Sequence, residues 1–350
     1  MKNFTGAELS SFHYEGNAGR KTGIVFDNNF YLLKYPKNTK DMRRMERSYT
    51  TSPISEYVGS KIYELLEIPT HETILGIDNN KVVVACKDFR FKNKEFVGMF
   101  DSFSGIINNV NDEVFDHYTN SQDSSLDYCI DNINANSKLN KIGLNKVHER
   151  FWTMFFIDAF INNNDRNNGN WGVIATAKSI ELAPVFDNGN SFNNKFSDNQ
   201  MMNRLDKLFD LQCKNIQSVY KDKNKNNIKP YEFLLNHDIK ELHEVITTIT
   251  PKINLDKINK MIYDIPSDYN NLPVCSDIQK DFMIKSLAER YKNMILPAYN
   301  RSRDVIYQNQ ENIKIPNIED IIKRTKNEIS LQSGDIGFKS PKRTHEDKEL

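Results

Sequence analysis

Paired cysteines are the first thing this sequence lacks. Its four, Cys86, Cys129, Cys213 and Cys275, lie far apart, with no CxxC unit for a zinc ribbon or a thioredoxin-like redox site. A chain of 350 residues needs no disulfide scaffold, so these thiols are expected to be buried and reduced. An excess of charge is missing too. The 47 basic residues balance 47 acidic ones, which argues against a basic nucleic-acid binder. No apolar run approaches the roughly 20 residues that cross a bilayer, and mean hydropathy is −0.64. The seven histidines are scattered and contain no HExxH. Residues 1–6 show no basic segment leading into an apolar one, so no classical signal peptide is expected. Asp347 to Leu350 has the wrong order for an ER-retention address.

What is present is enough to fold. Hydrophobic residues make up 38% and aromatics 11%, sufficient for a sizeable core, and the length predicts about two domains or lobes. Residues 1–89 read as mostly β. Thr22 to Asp27 and Phe30 to Tyr35 flank an Asp-Asn-Asn cluster, and Ile74 to Ile77 and Lys81 to Cys86 flank another, so two hairpins are expected. Between them Val58, Ile62, Leu65 and Leu66 share one helical face over 55–66. Residues 37–53 are polar, basic and rich in Ser and Thr, and are expected to form a surface loop ending at Pro53.

From about residue 90 the pattern turns helical. Residues 101–145 read as short helices and loops. Phe151 to Phe160 is bulky and apolar on nearly every side but only about ten residues long, so it is a buried core helix. Further helices are expected near 200–213, 231–236, 239–248, 254–263, 276–310 and 316–330. Ser276 is an N-cap candidate, and Pro297 should kink or break the longest helix. The architecture expected is α+β: a small β-rich N-terminal lobe (1–89), a larger helical C-terminal lobe (90–330) and a disordered tail (331–350). A cleft between two such lobes is a common ligand site.

The most informative stretch is Asn162-Asn163-Asn164-Asp165-Arg166-Asn167-Asn168-Gly169-Asn170-Trp171-Gly172, directly after the buried helix. It could be a plain Asn-rich turn. A calcium loop is excluded, because placing Gly169 at the sixth position puts Arg166 and Ala175 at ligand positions. The third reading is a phosphoryl-transfer loop: Asp165 and Asn170 have the D-x-x-x-x-N spacing in which the Asp accepts a hydroxyl proton and the Asn reaches a metal ion. Downstream, Leu182-Ala183-Pro184-Val185-Phe186-Asp187-Asn188-Gly189 puts Asp187 after an apolar strand and before a turn, where a kinase holds its principal metal-binding Asp. The triplet is not a literal DFG.

That reading makes demands upstream. Lys34, at the end of Tyr31-Leu32-Leu33, occupies the place of a phosphate-binding strand lysine, and Glu56, at the start of the helix, the place of its partner. The alternatives are a solvated strand-end lysine and first-turn dipole complementarity. Gly16, Gly19 and Lys21 belong to a glycine-containing stretch whose N–H groups could approach phosphates. Val82 to Phe89 ends the β-rich half where a hinge is required. Asp158, two turns before Asp165, either braces the loop or points to solvent.

Together these segments resemble the HipA-type serine/threonine kinases. The likeness rests on Lys34-Tyr35-Pro36, Ser55-Glu56-Tyr57-Val58, Val83 to Phe89, Asn163 to Gly172 and Ala183 to Asp187, and spans about residues 14–310. It implies a bilobed protein-kinase-like fold with ATP and Mg²⁺ in the cleft. By motif, Asp165 would be the catalytic base, Asn170 and Asp187 would hold metal, and Lys34 would contact phosphates. The backbone from Ala85 through Cys86 to Lys87 would meet adenine. Asn167 stands where the family usually has His. The family's habit of autophosphorylation makes Ser48, Thr50, Thr51, Ser52 and Ser55 candidates.

The expected function is ATP-dependent transfer to protein hydroxyls. A nucleotide-binding pseudokinase, a structural interaction protein and a small-molecule kinase are the alternatives. The protein substrate stays unnamed, an antitoxin-like partner is left open because it would be a separate chain, and no membrane or nucleic-acid partner is expected. A cytoplasmic protein and an effector exported without a classical signal peptide would look alike.

Overall fold

The computed structural model describes residues 1–12, 21–40, 42, 45–111, 124–307 and 323. Gly16 and Gly19, most of the helix expected over 316–330 and the tail expected over 331–350 lie outside these residues. Strands β1 (Lys2–Asn3), β2 (Lys21–Phe26) and β3 (Asn29–Lys34) open the chain. Helix α1 (Ser52–Leu65), β4 (Thr73–Asp78) and β5 (Lys81–Lys87) follow. They form one sheet in the order β1-β4-β5-β3-β2, antiparallel throughout except for the parallel β1–β4 pair.

The two hairpins turn where the Asp and Asn residues cluster. Asp27, Asn28, Asn79 and Asn80 all have positive φ, which two-residue turns matching strand twist require and which Asn and Asp tolerate. Period-two alternation sorts the sheet's faces. Tyr31, Leu33, Tyr35, Val83 and Ala85 join Phe4 and Ile24 in a small core on one face. Leu32, paired with Cys86, and Lys34, paired with Val84, therefore look the other way. On that side α1 packs Val58, Ile62 and Tyr63 into the main core with Leu75.

Helix α1 begins earlier than expected. Pro53 sits in its first turn, where a missing N–H costs nothing, so Pro53 opens the helix instead of closing the preceding loop. Glu56 is consequently one turn inside α1 and 1% exposed; it is not a first-turn dipole partner.

The hairpin β6 (Phe91–Lys92) and β7 (Glu95–Phe96) leads to β8 (Met99–Ser102), then to α2 (Phe103–Asn111), α3 (Leu126–Ala135), α4 (Ser137–Ile142) and α5 (Leu144–Ile161). Strands β9 (Gly172–Ala175) and β10 (Ile180–Leu182) form with β8 an antiparallel sheet in the order β10-β9-β8. Helix α5 is buried on all sides from Phe151 to Ile161, as its apolar run requires. Asn162 ends it in the left-handed region, at φ 55°, a cap that suits Asn.

The remaining elements are α6 (Asp198–Met202), α7 (Pro230–Asn236), α8 (Lys240–Ile249), α9 (Leu255–Tyr263), the hairpin β11 (Asp268–Tyr269) and β12 (Leu272–Pro273), α10 (Asp277–Arg290) and α11 (Leu296–Tyr307). The single helix expected over 200–213 is instead α6, a short 3₁₀ turn (Leu205–Lys207) and a π-type turn (Asp210–Lys214). Ser276 caps α10 through Gln279 N–H. Pro297 falls just after a π-type turn, Tyr291–Ile295. The wider turn absorbs the ladder bond that proline cannot make. Among the described residues no helix is long and apolar enough to cross a membrane.

Candidate active site

Four segments meet where the five-stranded sheet faces the helical part. Strand β3 delivers Lys34, α1 delivers Glu56, the loop after α5 delivers Asp165 and Asn170, and the segment after β10 delivers Asp187. Lys34 Nζ lies 2.9 Å from Glu56 Oε2 and 2.8 Å from Asp187 Oδ1. Burial alone would lower the Lys34 pKa, but the Asp187 and Glu56 charges outweigh it and raise the value. For Glu56, burial pushes up while Lys34 and His71 pull harder, and the carboxyl stays well below its usual range. The ion pair is therefore fully charged at neutral pH.

His71 completes this arrangement. Its Nε2 lies 3.0 Å from Glu56 Oε1 and 3.1 Å from Ser60 Oγ. A carboxylate only accepts, so Nε2 carries the proton. Asn188 N–H donates to the same Glu56 oxygen at 3.1 Å. Asn188 Nδ2 donates to Ser60 Oγ at 3.1 Å.

The Asp165 loop is held from beneath by a buried ion pair. Arg166 is 1% exposed and Asp158 5%. Arg166 Nε and Nη2 reach the two Asp158 oxygens at 2.8 and 3.1 Å. The guanidinium also donates to Asn188 Oδ1 at 2.5 Å, to Asn170 O at 3.2 Å and to Phe186 O. Asp158 accepts further bonds from Tyr63 and Asn163, both at 3.2 Å. Burial disfavours the Arg166 charge, but Asp158 more than offsets it and the pKa rises. One side chain thus ties helix α5, the Asp165 loop and the Asp187 segment together, and Asp158 braces the loop instead of facing solvent.

Within the loop, Asn163 Oδ1 accepts from Asp165 N–H at 3.2 Å, and Asn170 Nδ2 donates to Asp165 O at 2.6 Å. Asn167 Nδ2 donates to Asp165 Oδ1 at 3.2 Å, while its Oδ1 accepts from Gly169 N–H at 2.9 Å. Burial raises the Asp165 pKa; the Asn167 hydrogen bond opposes this, the Asp187 charge adds to it, and Lys195 and Arg166 oppose it. Asp187 itself has φ 62°, a conformation rare for a side chain with Cβ and typical of functional turns.

Two chambers flank the Lys34–Asp187 pair. One, of about 550 Å³, is walled by Lys21, Leu32, Cys86 to Arg90, Phe100, Asn170 and Phe186. The rings of Phe89, Phe100 and Phe186 pack 5.4–5.7 Å apart there. The other, of about 300 Å³, is walled by Lys37, Thr50, Ser52, Asp165, Asn194 and Lys195, among others. Lys34 and Asp187 border both.

The structure thus brings together Lys21, Lys34, Glu56, Cys86, Lys87, Asp165, Asn170 and Asp187. Ala85 is set back: it lies inside β5, 0% exposed, with its side chain in the small core, so the chamber wall starts one residue later. Burial pushes the Cys86 thiol up, so it stays protonated. Of the five candidate acceptors, Thr50 and Ser52 border the smaller chamber, whereas Ser55 is buried and donates to Ser191 O at 3.0 Å. No local pattern marks His71, Ser60 or Asn188, which meet one another and Glu56 only in the folded chain. Arg166 could have been found: two opposite charges, Asp158 and Arg166, flank the end of an otherwise apolar buried helix.

Gly59 lets this arrangement close. A Cβ there would sit 2.7 Å from Asn188 Cβ, an atom too near the backbone to move aside. Ala should favour the helix by about 1 kcal/mol over Gly, yet Gly59→Ala is expected to lower both the thermal midpoint and the activity, because Asn188 must shift. A raised midpoint with unchanged activity would refute this packing argument.

No family model matches the chain. The serine/threonine-protein kinase CtkA of Helicobacter pylori is 30% identical over 322 residues, 88% of this chain and 90% of that protein. The crystal structure of a Helicobacter pylori proinflammatory kinase CtkA matches with a TM-score of 0.75 at 28% identity, covering 87% of this chain and 99% of that one. A chain from the Shewanella oneidensis MR-1 toxin–antitoxin complex of HipA, HipB and operator DNA matches with a TM-score of 0.50 at 12% identity, covering 84% and 68%. That last likeness is of fold alone. The β-rich N-terminal lobe, the helical C-terminal lobe and the extent of the CtkA match agree, and the chain, with its HipA-like fold, belongs to the family of the serine/threonine-protein kinase CtkA.

Proposed function

We propose that the protein is an ATP- and Mg²⁺-dependent kinase that transfers the γ-phosphoryl group to serine or threonine hydroxyls of proteins. The observation that carries this reading is the Lys34 ammonium held between Glu56 and Asp187 at 2.9 and 2.8 Å, with Asp165 on the wall of the adjoining chamber. Phosphoryl transfer depends chiefly on positioning and charge neutralisation, and each part needed for it has a candidate here.

The donor set fits a hard divalent cation. Asp187 spends one carboxylate oxygen on Lys34, and Asn170 uses its amide nitrogen on the Asp165 backbone. An oxygen of each is left for a metal that prefers oxygen ligands. Mg²⁺-bound ATP, when present, supplies the transferable phosphoryl group with part of its charge neutralised. Lys34 would orient the phosphates, and the larger chamber, with its aromatic wall from Cys86 onward, suits the base. Gly16 and Gly19 keep their proposed phosphate-covering role as readings of sequence alone. Asp165 would accept the proton of the incoming hydroxyl. We place the division between the lobes close to residue 89, because β8, from Met99, already pairs with β9.

Asn167 favours catalysis over a pseudokinase. It bonds both Asp165 and the loop backbone, which is the orienting part of the role that His would fill. The same bond gives a pH prediction. A base must be ionised, and burial raises the Asp165 pKa, so kcat/KM should fall on acidification through a pKa above that of an ordinary Asp. Removing the Asn167 bond removes an influence that lowers this pKa. In Asn167→Ala the acid limb of the pH–rate profile should therefore move to higher pH. An unmoved or lowered limb would argue against Asp165 as the base.

Autophosphorylation and an antitoxin-like partner belong to the same reading. The first is supported by Thr50 and Ser52 bordering the Asp165 chamber, and the second by the assembly of HipA with HipB in the compared structure. The reading as a whole is tested by incubation with γ-labelled ATP, Mg²⁺ and a mixed protein acceptor, followed by phosphoamino-acid analysis. Label on Ser or Thr is expected; label on a small molecule alone would favour the small-molecule kinase.

A further inference from the structure

We infer that the acceptor carries an acidic side chain close to the modified hydroxyl, and that Lys37 and Lys195 recognise it. The inference rests on the kinase reading above and names the substrate class of that site. The smaller chamber lies across the Lys34–Asp187 pair from the aromatic chamber and contains Asp165, so an acceptor hydroxyl reaching Asp165 enters there. Three ammonium groups border it. Lys34 is engaged by Glu56 and Asp187. Lys37 and Lys195 are exposed, and among the described residues neither has a carboxylate within ion-pair distance. Neither borders the aromatic chamber, so their charges serve the acceptor side.

The two lysines project from anchored backbone. Lys37 and Thr50 exchange two hydrogen bonds: Thr50 N–H donates to Lys37 O at 2.9 Å, and Lys37 N–H to Thr50 Oγ1 at 3.1 Å. Thr51 does the same service for the other segment, donating its N–H and hydroxyl to Asn194 O at 2.8 and 3.2 Å. Both lysine-bearing segments are thus tied to the residues that lead directly into α1, the helix of Glu56.

The approach to Lys195 is also under backbone strain. Phe192 and Asn193 have φ 56° and 54°, a conformation that a bulky residue adopts only when its surroundings impose it. Those surroundings are buried: Phe192 N–H donates to Ile161 O at 3.1 Å, and Gln212 Nε2 to Asn193 Oδ1 at 2.9 Å. Gln212 is itself held by the buried Arg290. A peptide offering its hydroxyl to Asp165 brings its neighbouring side chains between two exposed cations borne on anchored backbone, which attract an anion and repel a cation.

The test is a set of serine peptides with Glu, Ala or Lys placed at each of the three positions on either side of the acceptor, phosphorylated by the full-length protein with ATP and Mg²⁺. Glu at the favoured position should raise kcat/KM about tenfold over Ala, the factor equivalent to 1.4 kcal/mol, and Lys should lower it. The gain should shrink at high salt, as for exposed charges. Neutralising the pair with Lys37→Met and Lys195→Met should remove the preference, and Lys37→Glu with Lys195→Glu should invert it toward Lys peptides. Transfer by the wild type without charge preference would overturn this inference and leave the kinase reading standing. A preference for Glu that survives both double variants would overturn the assignment to these lysines. Absence of transfer to any peptide or protein would overturn both.

Discussion

Asp187→Ala and Asp165→Ala should each abolish measurable phosphoryl transfer while the protein stays folded. For Asp165 the loss is that of a positioned base, about 10²–10⁴-fold in rate. Among the described residues the side chain makes no hydrogen bond besides the one from Asn167, so stability should hold. Asp187 should cost at least as much, because it is both a candidate metal ligand and the partner of Lys34 at 2.8 Å. Its removal leaves Lys34 to Glu56 alone. The two variants differ in binding: Asp187→Ala should weaken the stabilisation that ATP with Mg²⁺ gives in thermal melts, whereas Asp165→Ala should keep it. Transfer at wild-type rate by Asp187→Ala would remove Asp187 from the metal site.

The largest stability effect should come from Arg166. Replacing it with Met leaves Asp158 buried without its cation, and breaking a buried pair from one side costs about 3–5 kcal/mol. The loss exceeds that of a surface bridge because Arg166 also holds Asn188, Asn170 O and Phe186 O, so activity should fall with stability. Combining Arg166→Met with Asp158→Leu should recover part of the stability, since no charge is then stranded, but not the activity, since the loop loses its tie to Asp187. Chemical denaturation of the single and the double variant checks the first part and label transfer the second. A single variant as stable as wild type would contradict the buried network.

The contrast between these residues shows what was legible in the sequence. The hairpins, the buried α5 and Ser276 as a cap follow local rules, and local patterns announced them. Lys34, Asp165, Asn170 and Asp187 were legible because they sit at fixed offsets from such elements. Where Pro53 fell, two local rules competed: proline closes loops and also opens helices, and only the packing of α1 against the sheet decides. The segment 200–213 has a helical pattern, but Gln212 and Cys213 are buried to meet Arg290 and Glu289 O, and the ladder gives way to that contact. Asn188 answers to Glu56 and Ser60 across a long stretch of chain and His71 to the same pair from the loop after α1, and no spacing rule covers either. Strand alternation points the Ala85 side chain into the small core, and its reading as an adenine contact concerns its backbone alone.

Phosphate transfer is the work assigned to the charged cluster around Lys34. Its most direct test is incubation of the purified protein with ATP and Mg²⁺, wild type beside Asp165→Ala, read by intact mass. An added mass of one or more phosphates is expected on the wild type alone, with the modified residue bordering or able to reach the Asp165 chamber. No adduct on either protein, together with no transfer to an added acceptor and no thermal shift with ATP, would contradict it.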